Sequence, residues 1–373
     1  MDRRQFLTLG GATLLTLQCP WAFAEAKRPA KFIWINLRGA LDHLHTLVPT
    51  FEHKLLQQYR PDLYGAIAHK LLGLDPNFAL HPELPNLHQW FKQKQMLAIT
   101  ATSSAYRGRS HFDGQDFLES GKSEIDHDSG WLGRALQQRQ ALVVSMNNPI
   151  VARGSHNSQT WYPSNLNNAD INYQSIIDLY SHHQELSTAL TKGVALSRQP
   201  QSKQSSSKQG KFIHLAKACA QLMTSENIDA AVLELGGWDT HNQQANRLNV
   251  RLAELDQGLA VLKQHLGSQW QNTVIAVSTE FGRTVRQNGT GGTDHGSASM
   301  MFIAGGSVNG GQVLGQWPGL AQQQLFQNRD LNATSNVHDW LATLLAQHWQ
   351  LNSDHIKSAF PSAQLLRQKM VIA

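Results

Sequence analysis

The sequence has very few cysteines, with two in 373 residues. Cys19 lies in an N-terminal segment that we expect to be removed, so the mature chain would keep a single thiol at Cys219. One thiol cannot form an internal disulfide, which excludes the small disulfide-stapled scaffolds of secreted proteins. Stability must therefore come from core packing, and the length is sufficient for one large or two small domains.

Long apolar runs and blocks of like charge are also missing. The N-terminal apolar run, residues 6–17, is shorter than the roughly 20 residues of a membrane-spanning helix, and no other stretch approaches that length. A hydrophobic content of 41% without a block of like charge excludes the disordered class. The net charge of +5 is scattered and aromatic residues make up only 8%, so we expect no nucleic-acid binding.

The N-terminus has the order of features of a signal peptide. Arg3 and Arg4 precede the apolar run, and residues 22–24 (AFA) offer small side chains for cleavage. The arginine pair followed by residues 5–7 (QFL) resembles a twin-arginine signal. We predict a twin-arginine-type signal peptide over residues 1–24, export through the twin-arginine machinery to a periplasmic or secreted location, and no stable membrane span after processing. The alternative is an uncleaved membrane anchor.

Strand-like and helix-like runs alternate beyond residue 27. Runs of β-branched and aromatic residues predict strands at 31–37, 96–101, 141–145, 230–235, 273–278 and 300–304. Apolar residues at helical spacing predict helices near 82–93, 110–120, 172–190, 211–226, 243–266 and 337–348. Residues 146–170 are typical of a loop, and 199–210 of a flexible surface loop. The pattern predicts one α/β domain over 27–373, a three-layer sandwich with a mostly parallel central sheet.

Acidic, imidazole and hydroxyl side chains recur just after the predicted strands. Ligands of open α/β sheets bind at the carboxyl ends of the strands, so residues that follow different strands should converge. The candidates are Asp42, Ser110, His111, Asp239, His241, Glu280, Arg283, Asp294 and His295. Carboxylates and imidazoles are natural ligands of Zn²⁺, Mn²⁺ and related ions, and mixed sets suit two-metal hydrolysis. Ser110 lies at a predicted helix start, where the helix dipole favours a tetrahedral anion.

Five blocks of sequence carry a family resemblance. They are RGALDHLHTLVP from Arg38, RGRSHFDGQDFLESG from Arg107, GGWDTH from Gly236, STEFGR from Ser278 and GGTDHGSASMMFIAGG from Gly291. The blocks resemble the signature of the domain of unknown function 1501 family, which commonly carries twin-arginine signals and is grouped with the alkaline phosphatase and sulfatase superfamily. The resemblance spans essentially all of the mature chain and implies an alkaline phosphatase-like fold.

The resemblance also implies roles for the candidate residues. Asp42 corresponds to the first-strand metal ligand of the superfamily, and Ser110 lies where the nucleophile is found. The other implied metal ligands are Asp239, His241, Glu280, Asp294 and His295. Our leading hypothesis adds His111 and Arg283 as catalytic residues, Arg283 as a clamp for the anion. The implied cofactor is one or two divalent ions, Zn²⁺, Mn²⁺ or Ca²⁺.

Two positions depart from the family pattern. Phe281 follows Glu280 where phosphatases have a histidine after an aspartate, so one metal is either missing or held differently. His43 stands where the family generally has glycine, and it would either add a ligand or crowd the site. Neither outcome follows from the sequence.

Several candidates also have a purely structural interpretation. Asp42 and Ser110 are both suitable helix caps. Glu280 and Arg283 are close enough in sequence to form a local ion pair. His111 is equally suited to donating to a ligand and to packing beneath it.

The sequence therefore leads to competing functions. The leading hypothesis is an exported, sulfatase-like, metal-dependent hydrolase of phosphate or sulfate esters, acting on a small-molecule or polysaccharide ester. The alternative is a non-catalytic secreted binding or assembly protein that keeps the fold with a degenerate site. A third hypothesis is a phosphomutase-like or phosphonate-cleaving enzyme of the same superfamily.

Overall fold

The computed structural model describes residues 29–163 and 210–372, together with positions 184, 187, 188 and 191. The predicted signal peptide at 1–24 lies outside the described residues, as do almost all of the predicted helix at 172–190 and all but the last residue of the predicted loop at 199–210. Among the residues that the structure describes, no helix combines the length and the apolar composition needed to cross a membrane. The prediction of a single domain stays a prediction.

The described strands form one large and one small sheet. In chain order they are β1 Lys31–Arg38, β2 Leu47–Pro49, β3 Leu72–Gly73, β4 Phe78–Leu80, β5 Met96–Ser103, β6 Ala141–Val144, β7 Ser158–Trp161, β8 Ala230–Gly236, β9 Thr273–Ser278, β10 Ser299–Ala304, β11 Val313–Leu314 and β12 Ser335–Asn336. Within the described ranges the large sheet has nine strands in the order β11-β5-β10-β9-β1-β8-β6-β7, with β12 beside β5. The small sheet has the order β2-β4-β3.

Helices separate most of the strands along the chain. They are α1 His43–Thr46, α2 His53–Tyr59, α3 Pro61–Ile67, α4 Pro85–Lys92, α5 His111–Ser120, α6 Trp131–Ala135, α7 Lys211–Ser225, α8 Gln244–Leu266, α9 Val337–His348 and α10 Ser353–Ala359. Short 3-10 helices cover Thr50–Glu52, Ile150–Ala152, Gly267–Asn272 and Gln322–Gln324.

Strand β1 shows how the sheet comes to be covered on both faces. Ile33 and Ile35 are fully buried on one face, in the core that also contains apolar residues of α4, α7 and α8. Phe32 and Trp34 are fully buried on the opposite face, with residues of α6, α9 and α10. Successive side chains of a strand point to opposite faces, so an unbroken apolar strand requires helices on both sides. The predicted three-layer α/β class is confirmed.

The directions of the strands decide which residues meet at the edge of the sheet. β1 pairs in parallel with β8 and β9, and β6 pairs in parallel with β7 and β8. β10 is antiparallel to both β9 and β5. The amino end of β10 therefore lies at the same edge as the carboxyl ends of β1, β5, β8 and β9. The sheet is mostly parallel, as predicted.

The predicted strands are confirmed to within two residues at each end, and the predicted helices that fall in the described ranges to within three. Helix α5 illustrates the local reasons. Its N-cap, Ser110, accepts a hydrogen bond from the Asp113 N–H at 3.4 Å, and its C-cap, Gly121, has φ of 70°. The small sheet, α2 and α3 were not predicted, and β7 lies where a loop was predicted. Strands of two to four residues are too short for a readable alternation.

Buried histidines should make the stability of the fold sensitive to acid. Burial lowers the pKa to about 3 for His81 and to about 4 for His43, His45, His338 and His348. Their unfolded pKa is about 6.5, so the unfolded chain binds more protons between pH 6.5 and 4 and stability falls as pH falls through that window. We expect the free energy of unfolding to drop by about 3 kcal/mol or more from pH 7 to pH 5 in urea titrations at fixed ionic strength.

A matched pair of variants checks the source of this pH dependence. His338→Gln removes one of the buried imidazoles and should flatten the profile, whereas His69→Gln changes an exposed residue and should leave it unaltered. A free energy of unfolding that is constant from pH 7 to pH 5 would contradict the expectation.

Candidate metal centre

Three histidines and one aspartate converge at the carboxyl edge of the large sheet. His111 begins α5, Asp239 and His241 follow β8, and His295 precedes β10. The Nε2 atom of His295 lies 3.0 Å from Nε2 of His111 and 3.0 Å from Nε2 of His241. Asp239 Oδ1 lies 3.0 Å from Nε2 of His241, 3.3 Å from that of His295 and 3.5 Å from that of His111. We call these four residues the metal cluster.

The ring of His111 is oriented by Glu280, which follows β9. His111 Nδ1 lies 2.7 Å from Glu280 Oε1. That oxygen also accepts from the Gly39 N–H at 2.8 Å and from Gln115 Nε2 at 3.2 Å. A carboxylate only accepts hydrogen bonds, so the proton of His111 is on Nδ1 and the Nε2 lone pair faces the cluster. Glu280 therefore lies behind a histidine rather than among the converging atoms.

The other two imidazoles are held in the same way. His241 Nδ1 lies 3.0 Å from Asp294 Oδ1, and His295 Nδ1 lies 2.8 Å from the carbonyl oxygen of Arg109. Both partners are acceptors, so both rings turn their Nε2 lone pairs inward. Metal-ligating histidines characteristically donate the other ring N–H to a carboxylate or a carbonyl. The arrangement is therefore suited to holding a metal ion.

The donor set fits a single transition-metal ion. Ligand atoms of His111, Asp239 and His295 lie within 4.8 Å of one another. Around Zn²⁺ with bonds of about 2.0–2.1 Å, tetrahedral ligand atoms are about 3.3 Å apart. The atoms of His111, Asp239 and His295 are separated by 3.0, 3.3 and 3.5 Å, and His241 Nε2 lies 3.0 Å from the atoms of both Asp239 and His295. Imidazole lone pairs that face one another and a carboxylate oxygen repel. A cation bound between them would remove that repulsion. Imidazole-rich sets suit Zn²⁺ and similar ions, whereas Ca²⁺ takes oxygen ligands.

The charges of the outer groups support this assignment. Burial alone would raise the pKa of Glu280, yet its hydrogen bonds from His111 and Thr279 hold that pKa below the ordinary value. Burial alone would lower the pKa of His111, and the hydrogen bond and charge of Glu280 raise it instead. Burial lowers the pKa of His295. A buried carboxylate that stays ionised behind His111 increases the basicity of that ligand.

Gly39 allows the two loops that carry the cluster to approach each other. Its φ is +124°, and a Cβ atom on it would lie 2.5 Å from the backbone nitrogen of Asp239. No L side chain fits such a separation, and glycine is the residue that adopts this conformation at no steric cost. The close approach also brings the Gly39 N–H to Glu280. Gly39 thus connects the end of β1 to Glu280, the residue that orients His111.

Arg283 was predicted to clamp an anion, and the structure places it elsewhere. Its side chain is fully buried, and Nη1 donates to Asp239 Oδ1 at 2.7 Å. Nε donates to Thr293 Oγ1 at 3.2 Å, and Nη2 donates to the Thr293 carbonyl oxygen. These bonds occupy three of the five N–H groups of the guanidinium and fix its orientation. Arg283 is thus positioned to orient Asp239 and to neutralise part of its charge.

Asp42 was predicted to bind metal, and the structure does not bring it into the cluster. Its carboxylate is buried and accepts from Arg60 Nη1 at 3.0 and 2.8 Å and from Gln244 Nε2. Arg60 is held in turn by the carbonyl oxygens of Thr284 and Val285 at 2.7 and 2.8 Å. Burial opposes ionisation of Asp42, but the Arg60 charge keeps its pKa below the ordinary value. The carboxylate is thus neutralised by a fixed guanidinium.

Ser110 and His43 are also located by the structure. Ser110 caps α5 directly before His111, and its Oγ accepts the Asp113 N–H at 3.4 Å. His43 lies in the core rather than at the cluster, with Nε2 2.8 Å from Thr100 Oγ1 and its ring 5.5 Å from that of Trp317. His43 neither adds a ligand to the cluster nor crowds it.

Sequence reasoning missed several groups that hold the site together. Arg60 and Gln244 do not follow a predicted strand, which was the criterion for candidate residues. Arg60 lies between α2 and α3, and Gln244 begins α8. The Arg109 carbonyl is a backbone group and leaves no trace in the sequence. Phe281, noted only as a departure from the phosphatase pattern, stacks on His111 with ring centroids 4.9 Å apart. The residue after Glu280 thus packs against a cluster ligand.

Glu280→Gln should weaken metal binding without rearranging the site. Thr279 Oγ1 lies 2.7 Å from Glu280 Oε2 and 2.6 Å from the Leu37 carbonyl oxygen. In the variant the single hydroxyl proton can turn to Leu37, and the oxygen can then accept from a glutamine Nε2 placed at the Oε2 position. Only the charge behind His111 is then lost. We expect about 10–100-fold lower affinity for Zn²⁺, measured by competition with a chromogenic chelator. Unchanged affinity would contradict the supporting role of Glu280.

The control for Glu280→Gln is Glu254→Gln. Glu254 is a similarly buried carboxylate, and it bonds Arg251 and the Phe212 N–H rather than any residue of the metal cluster. Zn²⁺ affinity should not change in that variant. A loss in both variants would indicate a general effect of removing buried charge.

Solved structures of phosphatase and sulfatase proteins are similar to the chain at low identity. Ps i-CgsB in complex with k-i-k-neocarrahexaose is 11% identical, with 90% of this chain and 76% of that chain covered and a TM-score of 0.42. The alkaline phosphatase of the Antarctic bacterium TAB5 is 13% identical, covering 91% and 100% with a TM-score of 0.37. The PsFucS1 sulfatase of Pseudoalteromonas sp. is 11% identical, covering 96% and 76% with a TM-score of 0.39.

One family model matches the sequence. It is described as "Protein of unknown function (DUF1501)" and matches residues 102–360. The match contains four of the five sequence blocks and all of the metal cluster, and the block from Arg38 precedes it. No curated protein sequence matches the chain.

Proposed function

The chain belongs to the DUF1501 family, and from the geometry of its metal cluster we propose that it is an exported metal-dependent hydrolase of phosphate or sulfate esters. The observation that carries the proposal is the inward orientation of the Nε2 atoms of His111, His241 and His295 beside Asp239, each ring having its Nδ1 atom next to an acceptor. Export is proposed from Arg3 and Arg4 and the apolar run after them. Detection of the chain in the cytoplasmic fraction alone would refute export.

We propose that the site holds one divalent ion, Zn²⁺ or Mn²⁺. The four atoms of the metal cluster would bind it, while Glu280, Asp294 and the Arg109 carbonyl orient the imidazoles. A second ion of the phosphatase type would need Asp42, whose carboxylate is already bonded by Arg60 and Gln244. When bound, the ion supplies Lewis-acid polarisation of a phosphoryl or sulfuryl oxygen.

Ser110 is the proposed nucleophile. It precedes His111 in the chain, and it is held by one long hydrogen bond from Asp113, so its hydroxyl is able to turn toward an ester bound at the cluster. Attack by Oγ would form a bond to phosphorus or sulfur as the bond to the alcohol oxygen breaks, with the hydroxyl proton passing to the departing alcohol. Water would then cleave the serine ester, releasing the inorganic anion and restoring the hydroxyl. The free N–H groups at the start of α5 would stabilise the oxygens of a tetrahedral anion.

The metal cluster is accessible to a substrate. The side chains of Asp239 and His241 are 43% and 44% exposed. The opposite sides of His111 and His295 are packed against Phe281, with ring centroids 4.9 and 5.5 Å away. A ligand would therefore approach from the side of Asp239 and His241. The Phe281 ring limits the motion of the His111 and His295 rings.

The test combines metal analysis with turnover of para-nitrophenyl phosphate and para-nitrophenyl sulfate. We expect about one ion per chain and measurable turnover of at least one ester. Ser110→Ala should keep the ion and lower kcat by roughly 10²-fold or more, whereas loss of a helix cap alone costs about 1 kcal/mol of stability. Asn352→Ala, which removes the cap of α10, is the control for that stability loss. Full activity of Ser110→Ala would refute the nucleophile.

A non-catalytic binding protein is the second candidate function. The observation that favours it is the pairing of both strand-end aspartates with arginine. Arg60 holds Asp42 away from any second ion, and Arg283 reduces the negative charge that Asp239 offers to the first. This candidate predicts a bound ion with no turnover of either ester. One ion together with turnover that Ser110→Ala abolishes would exclude it.

A further inference from the structure

A polar cleft lies beside the metal cluster on the same edge of the sheet. It consists of two cavities of about 400 and 250 Å³. Both are lined by Arg38, Ser145, Asn147 and Glu234, so they form one continuous cleft over the carboxyl ends of β1, β6 and β8. Sites for small ligands typically have about 300–1,000 Å³. The cleft is therefore large enough for an organic group of the size of one or two rings.

Short stretches of backbone join the cleft to the metal cluster. Arg38, at the end of β1, is in register with Gly236, at the end of β8, and both line the cleft. The next residue after Arg38 is Gly39, whose backbone contacts that of Asp239. An ester bound at the metal cluster would thus place its alcohol part within reach of the cleft.

The charges that line the cleft are nearly balanced in number, and two of the ion pairs are in direct contact. The cationic residues are Arg38, Arg153, Lys211 and Arg251, and the acidic residues are Asp116, Glu119, Glu234 and Glu254. Arg38 Nη1 lies 2.5 Å from Glu234 Oε1, and Arg251 Nη1 lies 2.6 Å from Glu254 Oε2. Ser145 Oγ lies 3.5 Å from the second oxygen of Glu234. Paired ions leave little net charge but still present several donors and acceptors. Such a surface favours a neutral ligand with many hydroxyl groups over an anion or a cation.

Glu119, on α5, adds a group of variable protonation at the same place. It is 3% exposed, and its carboxylate accepts from the Val151 N–H at 3.2 Å and from Asn36 Nδ2 at 3.4 Å. Burial, together with the nearby Glu234, raises the pKa of Glu119 to about 7. Near neutral pH it is therefore protonated in part, which lowers the negative charge of the cleft further.

The larger cavity also has an apolar side. Phe212 and Leu215 of α7 line it, together with Met146, which is 76% exposed. A sugar ring carries hydroxyl groups around its edge and C–H groups on its faces. Apolar side chains opposite paired polar groups suit both parts of such a ring.

We propose that this cleft is a subsite for an uncharged, hydroxyl-rich group, a sugar or a similar polyol, that forms the alcohol part of the ester held at the metal cluster. The inference rests on the proposed function for the ester. Binding of the polyol itself depends only on the cleft, so it can be measured without catalysis or metal.

The test of binding uses ligand-observed NMR on the full mature chain with maltose, cellobiose, lactose and N,N′-diacetylchitobiose. At least one of the four should bind, and Asn147→Ala and Glu234→Gln should each weaken that binding about tenfold, as expected for one or two lost hydrogen bonds. Asn147 is exposed, so its truncation should not affect folding. Asn77→Ala, an exposed position outside the cleft, should bind as wild type. Failure of all four sugars to bind, or equal binding by both cleft variants, would overturn the subsite.

A turnover experiment separates this inference from the proposed function. Glucose 6-phosphate and glucose 6-sulfate are compared with the para-nitrophenyl esters of the same anions. The cleft variants should raise KM for a sugar ester about tenfold, a larger factor than for the aryl esters, and Asn77→Ala should leave KM for both unchanged. Turnover of sugar esters that both variants leave unchanged would overturn the subsite alone. Absence of turnover for every ester would refute the proposed hydrolase, and the NMR result would still decide whether the cleft binds polyols.

Discussion

His295→Ala is expected to abolish metal binding and activity together. Nε2 of His295 lies 3.0 Å from Nε2 of both His111 and His241 and 3.3 Å from Asp239 Oδ1, so it contacts every other member of the metal cluster. Its removal leaves an incomplete donor set. We expect the bound ion to fall from about one per chain to background and kcat/KM for the ester to fall about 10³-fold or more, since a Lewis acid contributes several kcal/mol.

The control for this experiment is His69→Ala. The side chain of His69 is exposed and lies outside both the metal cluster and the cleft, so metal content and activity should equal those of wild type. Elemental analysis of both variants after dialysis against a weak chelator measures the outcome. Retention of a full equivalent of metal by His295→Ala would show that the ion is bound elsewhere.

Asp42→Asn is expected to reduce stability strongly and to leave metal content unchanged. Asp42 and Arg60 are each about 1% exposed, and Arg60 Nη1 donates to both carboxylate oxygens. Asparagine would leave the guanidinium buried without its counter-ion. Breaking a buried ion pair costs about 3–5 kcal/mol, which urea denaturation should reveal as a lower free energy of unfolding.

A double variant separates the loss of the pair from the loss of a ligand. Asp42→Leu combined with Arg60→Met removes both buried charges and should recover much of the stability lost in Asp42→Asn, because apolar replacement of a whole buried pair is often close to neutral. Arg60→Met alone should be as damaging as Asp42→Asn. Loss of the metal in Asp42→Asn with stability unchanged would assign Asp42 to the metal instead.

The fold was readable from sequence where each element carries its own signal. The run KFIWINL at the start of β1 contains four consecutive buried apolar residues, Phe32 to Ile35, and Ser110 and Gly121 mark the two ends of α5. Short elements without such a pattern were not readable. β3 has two residues and β4 has three, and their pairing depends on contacts distant in sequence.

The position of the site was predictable, and its internal arrangement was not. The rule that ligands bind at the carboxyl ends of parallel strands led to Asp239, His241 and Glu280. His295 reaches the same edge because β10 runs antiparallel, which the sequence does not reveal. The sequence also could not separate Glu280, which bonds Nδ1 of His111, from the atoms that converge. Whether a side chain reaches the cluster or lies one side-chain length behind it depends on tertiary packing.

Asp42 shows the limit of inference by position. It follows β1, where the family resemblance implies a metal ligand, yet its partner Arg60 is supplied from between two helices that were not predicted. Gln244 reaches the same carboxylate from the start of α8. A residue type at a strand end indicates what chemistry is available, and the neighbours in space decide whether it is used.

Anomalous diffraction from crystals of the mature protein at the absorption edge of its bound metal would test the central claim most directly. We predict one peak per chain, bonded by Nε2 of His111, His241 and His295 and by Oδ1 of Asp239, at about 2.0–2.2 Å. Asp42 should remain bonded to Arg60 in the same crystals. Two peaks, with one of them bonded by Asp42, would contradict the single-ion site, as would a peak that none of the three histidines contacts.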